Sequence, residues 1–268
     1  MIPLVDENPT RRRPWATLLL IVACTCVYFF VQPVGRHGLF QFGPRSIDVR
    51  ELEFSLGRAA IPCELTKGRP LTEDEVTLTY RGGDTHACGK GRASSPPHVK
   101  DKTIWLGLLY SMFLHGSIAH LAGNMLFLWV FGNNIEDRKG PLRYLLLYLV
   151  AGVVATMVHV TIYPDSTVPL IGASGAIAGI LGAYLVWFPR ARVKSMVALG
   201  PIVLFRRISA SWLLGFWFVS QLLLVRGASD VAWAAHVGGF AFGAIVGLLW
   251  RWADSRAQRR PVLAPVPR

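Results

Sequence analysis

The sequence predicts an all-α membrane protein: a bundle of six transmembrane helices with one long loop between the first and the second. Three observations lead there. Of 268 residues, 52% are hydrophobic and only 16% charged. Six long runs carry no charge at all. The Lys and Arg residues divide unevenly between the two sets of segments that join those runs. A net charge of +12 taken alone would suggest a nucleic-acid binder, but such proteins are about 25% charged or more. The apolar content also excludes disorder. A multi-span membrane protein remains, with the lipid bilayer as its surroundings and no nucleic-acid partner.

A helix needs about 20 apolar residues to cross the hydrocarbon. The first run is 15–32. Arg11, Arg12 and Arg13 precede it, but no small-x-small cleavage site follows, so it reads as a retained span. The second, 117–132, lies inside the uncharged stretch 103–135. Residues 104–114 are apolar but too short to span, and read as an interfacial or re-entrant segment. The remaining runs are 144–163, 170–188, 208–225 and 231–250.

Six crossings put both termini on one side. That side, with the 1–14 tail, the loops after spans two and four and the basic 251–268 tail, carries 16 basic and 5 acidic residues; the other carries 12 and 11. The excess of Lys and Arg in short loops marks the first side as cytoplasmic. The expected location is the inner (plasma) membrane of a bacterium.

Residues 33–103 form the long outer loop, expected to be a small, partly ordered subdomain. Residues 75–80 alternate polar and apolar, the pattern of a short strand. Residues 81–84 read as a turn and 94–97 as a linker. Cys63 and Cys88 lie here, whereas Cys24 and Cys26 lie in the first span. On an oxidising face Cys63 and Cys88 could pair. Free thiols are a second reading. A zinc site with His86 and His98 is a third, although the spacing departs from the usual short ligand pairs.

Polar residues inside spans are costly and mark functional sites. His120 and Asn124 are four apart in span two and share one helix face. Taken alone they could simply bond a neighbouring helix. In span four, Ser174 sits beside a bare strip of Gly175, Gly179 and Gly182. In span six, His236 shares a face with Gly239, Gly243 and Gly247. Each strip permits close helix approach. Docking the two brings Ser174 to His236, because both sit at the outer ends of their helices. A serine beside a histidine is a nucleophile beside its base. His120, Asn124 and the Ser174 backbone N–H could then stabilise an oxyanion. With no Asp or Glu in these spans, the arrangement reads as a dyad.

These residues resemble the rhomboid family of intramembrane serine proteases. The matching pieces are His120-x-x-x-Asn124, Gly172-x-Ser174-Gly175 and Ala235-His236-x-x-Gly239-x-x-x-Gly243, in the same order on the spans. The likeness covers about 104–250, the catalytic core. It implies a rhomboid-like bundle with Ser174 as nucleophile, His236 as base, and His120 and Asn124 at the oxyanion. Gly172 would shape the entrance. The implied substrates are transmembrane proteins cut in or near the membrane, entering beside Trp212, Phe216 and Trp217 of span five. No cofactor or metal is implied. The chain departs from the family where many members carry Trp-Arg before span two: Leu106 and Gly107 stand there, with Trp105 adjacent. Two other classes compete. One is an inactive relative that binds membrane clients, which typically lacks the Ser or the His. The other is a transporter or scaffold, for which intramembrane acids or an inverted repeat would speak.

Overall fold

The computed structural model describes residues 1–33, 48–200, 202–223 and 232–258. Each apolar run that the sequence marks contains a helix. Helix α1 (Trp15–Cys26) continues through a π turn, Val27–Val31. Helix α6 (Ile118–Phe127) continues through another, Leu128–Gly132, into α7 (Asn133–Lys139). Helix α8 is Pro141–Ile162, α9 Ser174–Trp187, α10 Ala210–Leu223 and α11 Trp233–Gln258. Two helices, Pro141–Ile162 and Trp233–Ala257, are long and apolar enough to cross a membrane. Span four begins later than its hydropathy suggests, because Gly172 adopts φ 128 and the helix starts only at Ser174. Span six ends later: α11 runs on to Gln258 with the charged Arg251, Asp254 and Arg256 in its last turns. Residues 224–231, which include the predicted ends of spans five and six, lie outside the described residues.

Helices α8, α9 and α11 form the centre. A Cβ on Gly243 would overlap the Gly179 carbonyl oxygen, and one on Gly239 would overlap that of Gly175. A Cβ on Gly182 would overlap the Phe240 carbonyl oxygen, and one on Gly179 would overlap the Ala151 side chain of α8. Backbone therefore meets backbone between α9 and α11, the contact small residues allow in membranes. Around it pack Phe131, Tyr144, Tyr148, Ile180, Leu181 and Tyr184, all fully buried.

At the end of α9 away from Ser174, the chain is not all-α. Strands β1 (Ile2–Asp6), β2 (Arg192–Leu199) and β3 (Ile202–Ser209) make an antiparallel sheet, with Asp6 opposite Val193 and Arg192 opposite Ser209. β-Branched Val193, Val197, Ile202, Val203 and Ile208 on either side of the turn at Gly200, with φ 62, favour the hairpin where the sequence reads as a basic loop. Asp6 accepts from Tyr184 Oη and Asn134 Nδ2, both at 2.6 Å, so β1 is tied to α9 and α7. Buried Glu136 accepts from Ala16 N at 2.9 Å and from Thr17 N and Oγ1 at 2.8 Å. It thereby caps α1, whose first N–H groups have no acceptor within the helix.

Residues 48–103 fold as a helical insert of α2 (Val49–Arg58), α3 (Pro62–Lys67) and α4 (Glu73–Tyr80), followed by the single turn α5 (Gly107–Tyr110). Helix α4 replaces the strand expected at 75–80. Thr72 and Glu75 form a capping box, and three acids fill the first turn. Both favour the helix N-terminus and outweigh the alternation. Leu56, Ile61, Cys63, Leu71 and Val76 make a small core. Cys63 and Cys88 are joined as a disulfide, while His98 lies between Glu53 and Glu73, at 2.9 and 3.0 Å. Lys102 and Glu64 pair at 2.5 Å with side chains 1% and 3% exposed.

Burial alone would raise the Glu75 pKa. Bonds from Arg69, Thr72 N and Gly89 N outweigh it and hold the carboxyl at about 2. A depressed carboxyl stabilises the fold above its unfolded value, near 4.5, and loses that contribution as pH falls through the folded value. The insert is therefore expected to loosen between about pH 4.5 and 2. Amide exchange of α4, corrected for intrinsic rates, would read it; protection unchanged to pH 2 would contradict it.

Candidate active site

Ser174 is the first residue of α9 and His236 lies in the first turn of α11. Docking of the two glycine strips sets their helices at backbone contact, and the side chains meet: Ser174 Oγ lies 2.7 Å from His236 Nε2. The other ring nitrogen, Nδ1, lies 2.6 Å from Gln221 Oε1 of α10. Trp217, one turn earlier on α10, lies across the imidazole with ring centroids 5.8 Å apart. His236 and Gln221 are both buried.

These groups line a cavity of about 350 Å³ together with His120 and Asn124 of α6. Ser117 caps α6 by accepting from His120 N at 3.1 Å. Ahead of the cap, Gln32 holds His115 by both backbone groups, accepting from its N at 2.9 Å and donating to its O at 3.1 Å. The end of α1 thus fixes where α6 begins. Asn124 is buried, and its Nδ2 donates to no other described residue. A buried amide left unpaired costs about 1–3 kcal/mol, so a donor aimed into a cavity is one awaiting an acceptor there.

The segment entering α9 is shaped around this cavity. A Cβ at Gly172 would stand 2.8 Å from His120 Cε1 and 3.6 Å from Ser174 Oγ. With φ at 128 as well, that position admits only glycine in comfort. Gly172 N donates to Ser111 O at 2.9 Å, and Ser111 Oγ accepts from Ala60 N at 2.8 Å. Leu170 N donates to Ala60 O, Cys63 N to Ser166 O, and Thr167 N to Thr85 O. The helical insert thereby grips the chain leading to Ser174. The same packing accounts for Gly107: a Cβ there would be 2.9 Å from Ala60 N, so the insert occupies the room a larger side chain would need.

Gly175 and Gly179 face α8 and α11, and Gly239 and Gly243 face α9. Trp212 and Phe216 lie on the exposed side of α10, away from the cavity that Trp217 lines. The insert's Cys63–Cys88 pair is outside the cavity. Gln221 was not singled out by sequence reasoning, which sought an acid beside the histidine. Its signal was the one amide in the uncharged run 208–225.

A helical membrane protein that sets a half-buried serine on a buried histidine beside an unpaired amide donor has the constellation of a serine nucleophile and its base. The chain belongs to the rhomboid family, whose Rhomboid domain model matches residues 102–253, more than half its length. It is an integral membrane protein. It is 34% identical to the presenilin-associated rhomboid-like protein A, mitochondrial, of Danio rerio over 158 residues, covering 56% of this chain and 40% of that one. It is 46% identical to the rhomboid protease GluP of Bacillus subtilis over 81 residues, 30% of this chain and 15% of GluP. Against the rhomboid protease AarA of Providencia stuartii it is 29% identical over 160 residues, 54% of this chain and 56% of AarA. The match thus spans little more than half of these relatives at most. They come from bacteria and from mitochondria, so the likeness places the chain in a membrane without specifying which.

Proposed function

We propose that this chain is an intramembrane serine protease that cleaves membrane-anchored proteins in or near their transmembrane segments. The observation that carries the reading is the 2.7 Å contact of Ser174 Oγ with His236 Nε2 inside the bundle. Ser174 Oγ attacks the scissile carbonyl carbon while His236 Nε2 takes its proton. The carbonyl oxygen becomes an oxyanion beside Asn124 Nδ2, His120 and the N–H groups of the first turn of α9. Collapse breaks the C–N bond, and His236 returns the proton to the leaving amine. A water activated by the same imidazole then hydrolyses the Ser174 ester and regenerates the hydroxyl. The known relatives named rhomboid proteases support this reading.

The helices α1, α6–α7, α8, α9, α10 and α11 are the six crossings in this proposal, with both termini on the side richer in Lys and Arg. Helix α9 has 14 residues, a length of about 21 Å against about 30 Å of hydrocarbon. With its last turn at one interface, Ser174 sits below the opposite surface, within the membrane and facing the outer leaflet.

The test is cleavage of a purified single-span substrate in liposomes, with the cut mapped by mass spectrometry. A cut inside or beside the span is expected, and cleavage confined to soluble unfolded proteins would refute the reading. Asn124→Ala is expected to lower kcat by about 10²–10³-fold with little change in KM, the usual cost of one oxyanion donor. A variant with unchanged kcat would remove Asn124 from that role.

A further inference from the structure

We infer that Gln221 is the positioning residue that fixes the tautomer and orientation of His236; the inference rests on the Ser174–His236 reading above. Nε2 can accept the serine proton only if the ring hydrogen is on Nδ1. An Nδ1–H needs an acceptor in a buried site, and Gln221 Oε1 is 2.6 Å away. The amide is itself oriented, because Gln221 Nε2 donates to Ser220 Oγ at 3.3 Å and leaves the oxygen toward the ring. Ser220 Oγ donates in turn to Trp217 O at 2.6 Å. The chain of bonds runs along one helix, α10, and the same helix lays Trp217 on the imidazole. Helix α10 thus bonds the Nδ1 edge of the ring and packs Trp217 beside it, tilted by 40° at 5.8 Å. The charged or titratable groups that act on His236 are His120 of α6 and His159 of α8. No carboxylate hydrogen-bonds it among the described residues, so a neutral amide does the orienting that a carboxylate does in a soluble triad.

The experiment compares Gln221→Leu and Gln221→Glu with the wild type and with Ser174→Ala. Gln221→Leu keeps the bulk and removes the acceptor. It should lower kcat about 10–100-fold with KM nearly unchanged, the usual effect of losing a partner that orients a histidine. Gln221→Glu restores an acceptor and adds a negative charge that favours the imidazolium. It should recover most of kcat and move the acid limb of the kcat/KM profile to higher pH. Wild-type kcat in Gln221→Leu, or an unshifted acid limb in Gln221→Glu, overturns the role of Gln221. Should Gln221→Leu fail to fold, the Gln221→Glu profile decides alone. Cleavage that persists in Ser174→Ala sinks the underlying reading instead.

An independent observation concerns the hairpin. Strand β1 pairs with β2 only as far as Met196. The hairpin extends beyond it, and residues 197–205 contain no charge. Ile202, Val203 and Phe205 are exposed, Phe205 by 71%. Basic residues follow directly: Arg206 and Arg207 on β3, with Lys194 and Arg192 across on β2; Arg207 and Lys194 share Glu7, at 2.9 and 3.7 Å, so the belt keeps a net positive charge. The hairpin joins α9 to α10 at the end opposite Ser174, where two apolar helices leave the hydrocarbon. An apolar tip behind a basic belt at that level fits an anionic lipid surface. We propose that the β2–β3 tip inserts into the leaflet on the side of the termini, with Arg192 and Arg206 on anionic headgroups.

The full-length protein carrying Val203→Cys and Cys26→Ser, with a nitroxide at position 203, would be reconstituted in phosphatidylcholine vesicles with and without phosphatidylglycerol. Greater collision with oxygen than with a water-soluble nickel chelate is expected, and more so with the anionic lipid. Greater access to the nickel chelate in both vesicles overturns the proposal. Protection from both reagents also overturns it, and would indicate a protein contact in place of lipid.

Discussion

Ser174→Ala and His236→Ala should each abolish cleavage, to about 10⁴-fold or more below wild type. The first removes the proposed nucleophile, the only hydroxyl lining the cavity among the described residues. The second leaves the hydroxyl but takes away the group 2.7 Å from it that receives its proton. In the proposed mechanism the two act as one unit, so the double substitution should cost little more than either alone. Both side chains are small or ring-shaped groups at the edge of a cavity, so neither change should unfold the protein. Cleavage assays with a thermal unfolding control would check this. Additive losses from the two changes would mean that Ser174 and His236 act separately.

The second large effect lies far from chemistry. Gly243→Leu puts a side chain where the Gly179 carbonyl already stands. Overpacking a core costs about 1–3 kcal/mol when side chains can shift. Here the obstacle is backbone, so the helices must part, and the loss should be at least about 3 kcal/mol. Parting α9 from α11 also separates Ser174 from His236, since one is carried by each helix. Stability and activity should therefore fall together. Gly215→Ala of α10 is the control: nothing lies within 4 Å of a Cβ there and it does not line the cavity, so little should change. A Gly243→Leu protein of wild-type stability would show that the strip is not a close contact.

Much of this was legible because membrane residues obey simple rules. Uncharged runs had to be helices, since only a helix satisfies its own backbone in lipid. A serine and a histidine beside matching glycine strips could be placed together from the helical period alone. The regions that misled were those outside the apolar runs, where two local signals compete. At 72–80 alternation suggested a strand, while the Thr72–Glu75 capping box determined a helix. At 192–209 the β-branched Val193, Val197, Ile202, Val203 and Ile208 favour strands, but they stand among basic residues without regular alternation, and they form β2 and β3. Gln221 was hidden for another reason. Its partner comes from another helix fifteen residues on, and no spacing rule links α10 to α11 across residues 224–231. The grip of the insert on residues 166–172 is likewise a matter of tertiary hydrogen bonds that no pattern announces.

The central claim is that Ser174 is a nucleophile activated by His236 inside the membrane. Labelling of the reconstituted wild-type protein with a fluorophosphonate, followed by peptide mapping, tests it most directly. The expected adduct is on Ser174, and it should be lost in Ser174→Ala and strongly slowed in His236→Ala. An adduct on another serine, or equal labelling of Ser174 without His236, would contradict it.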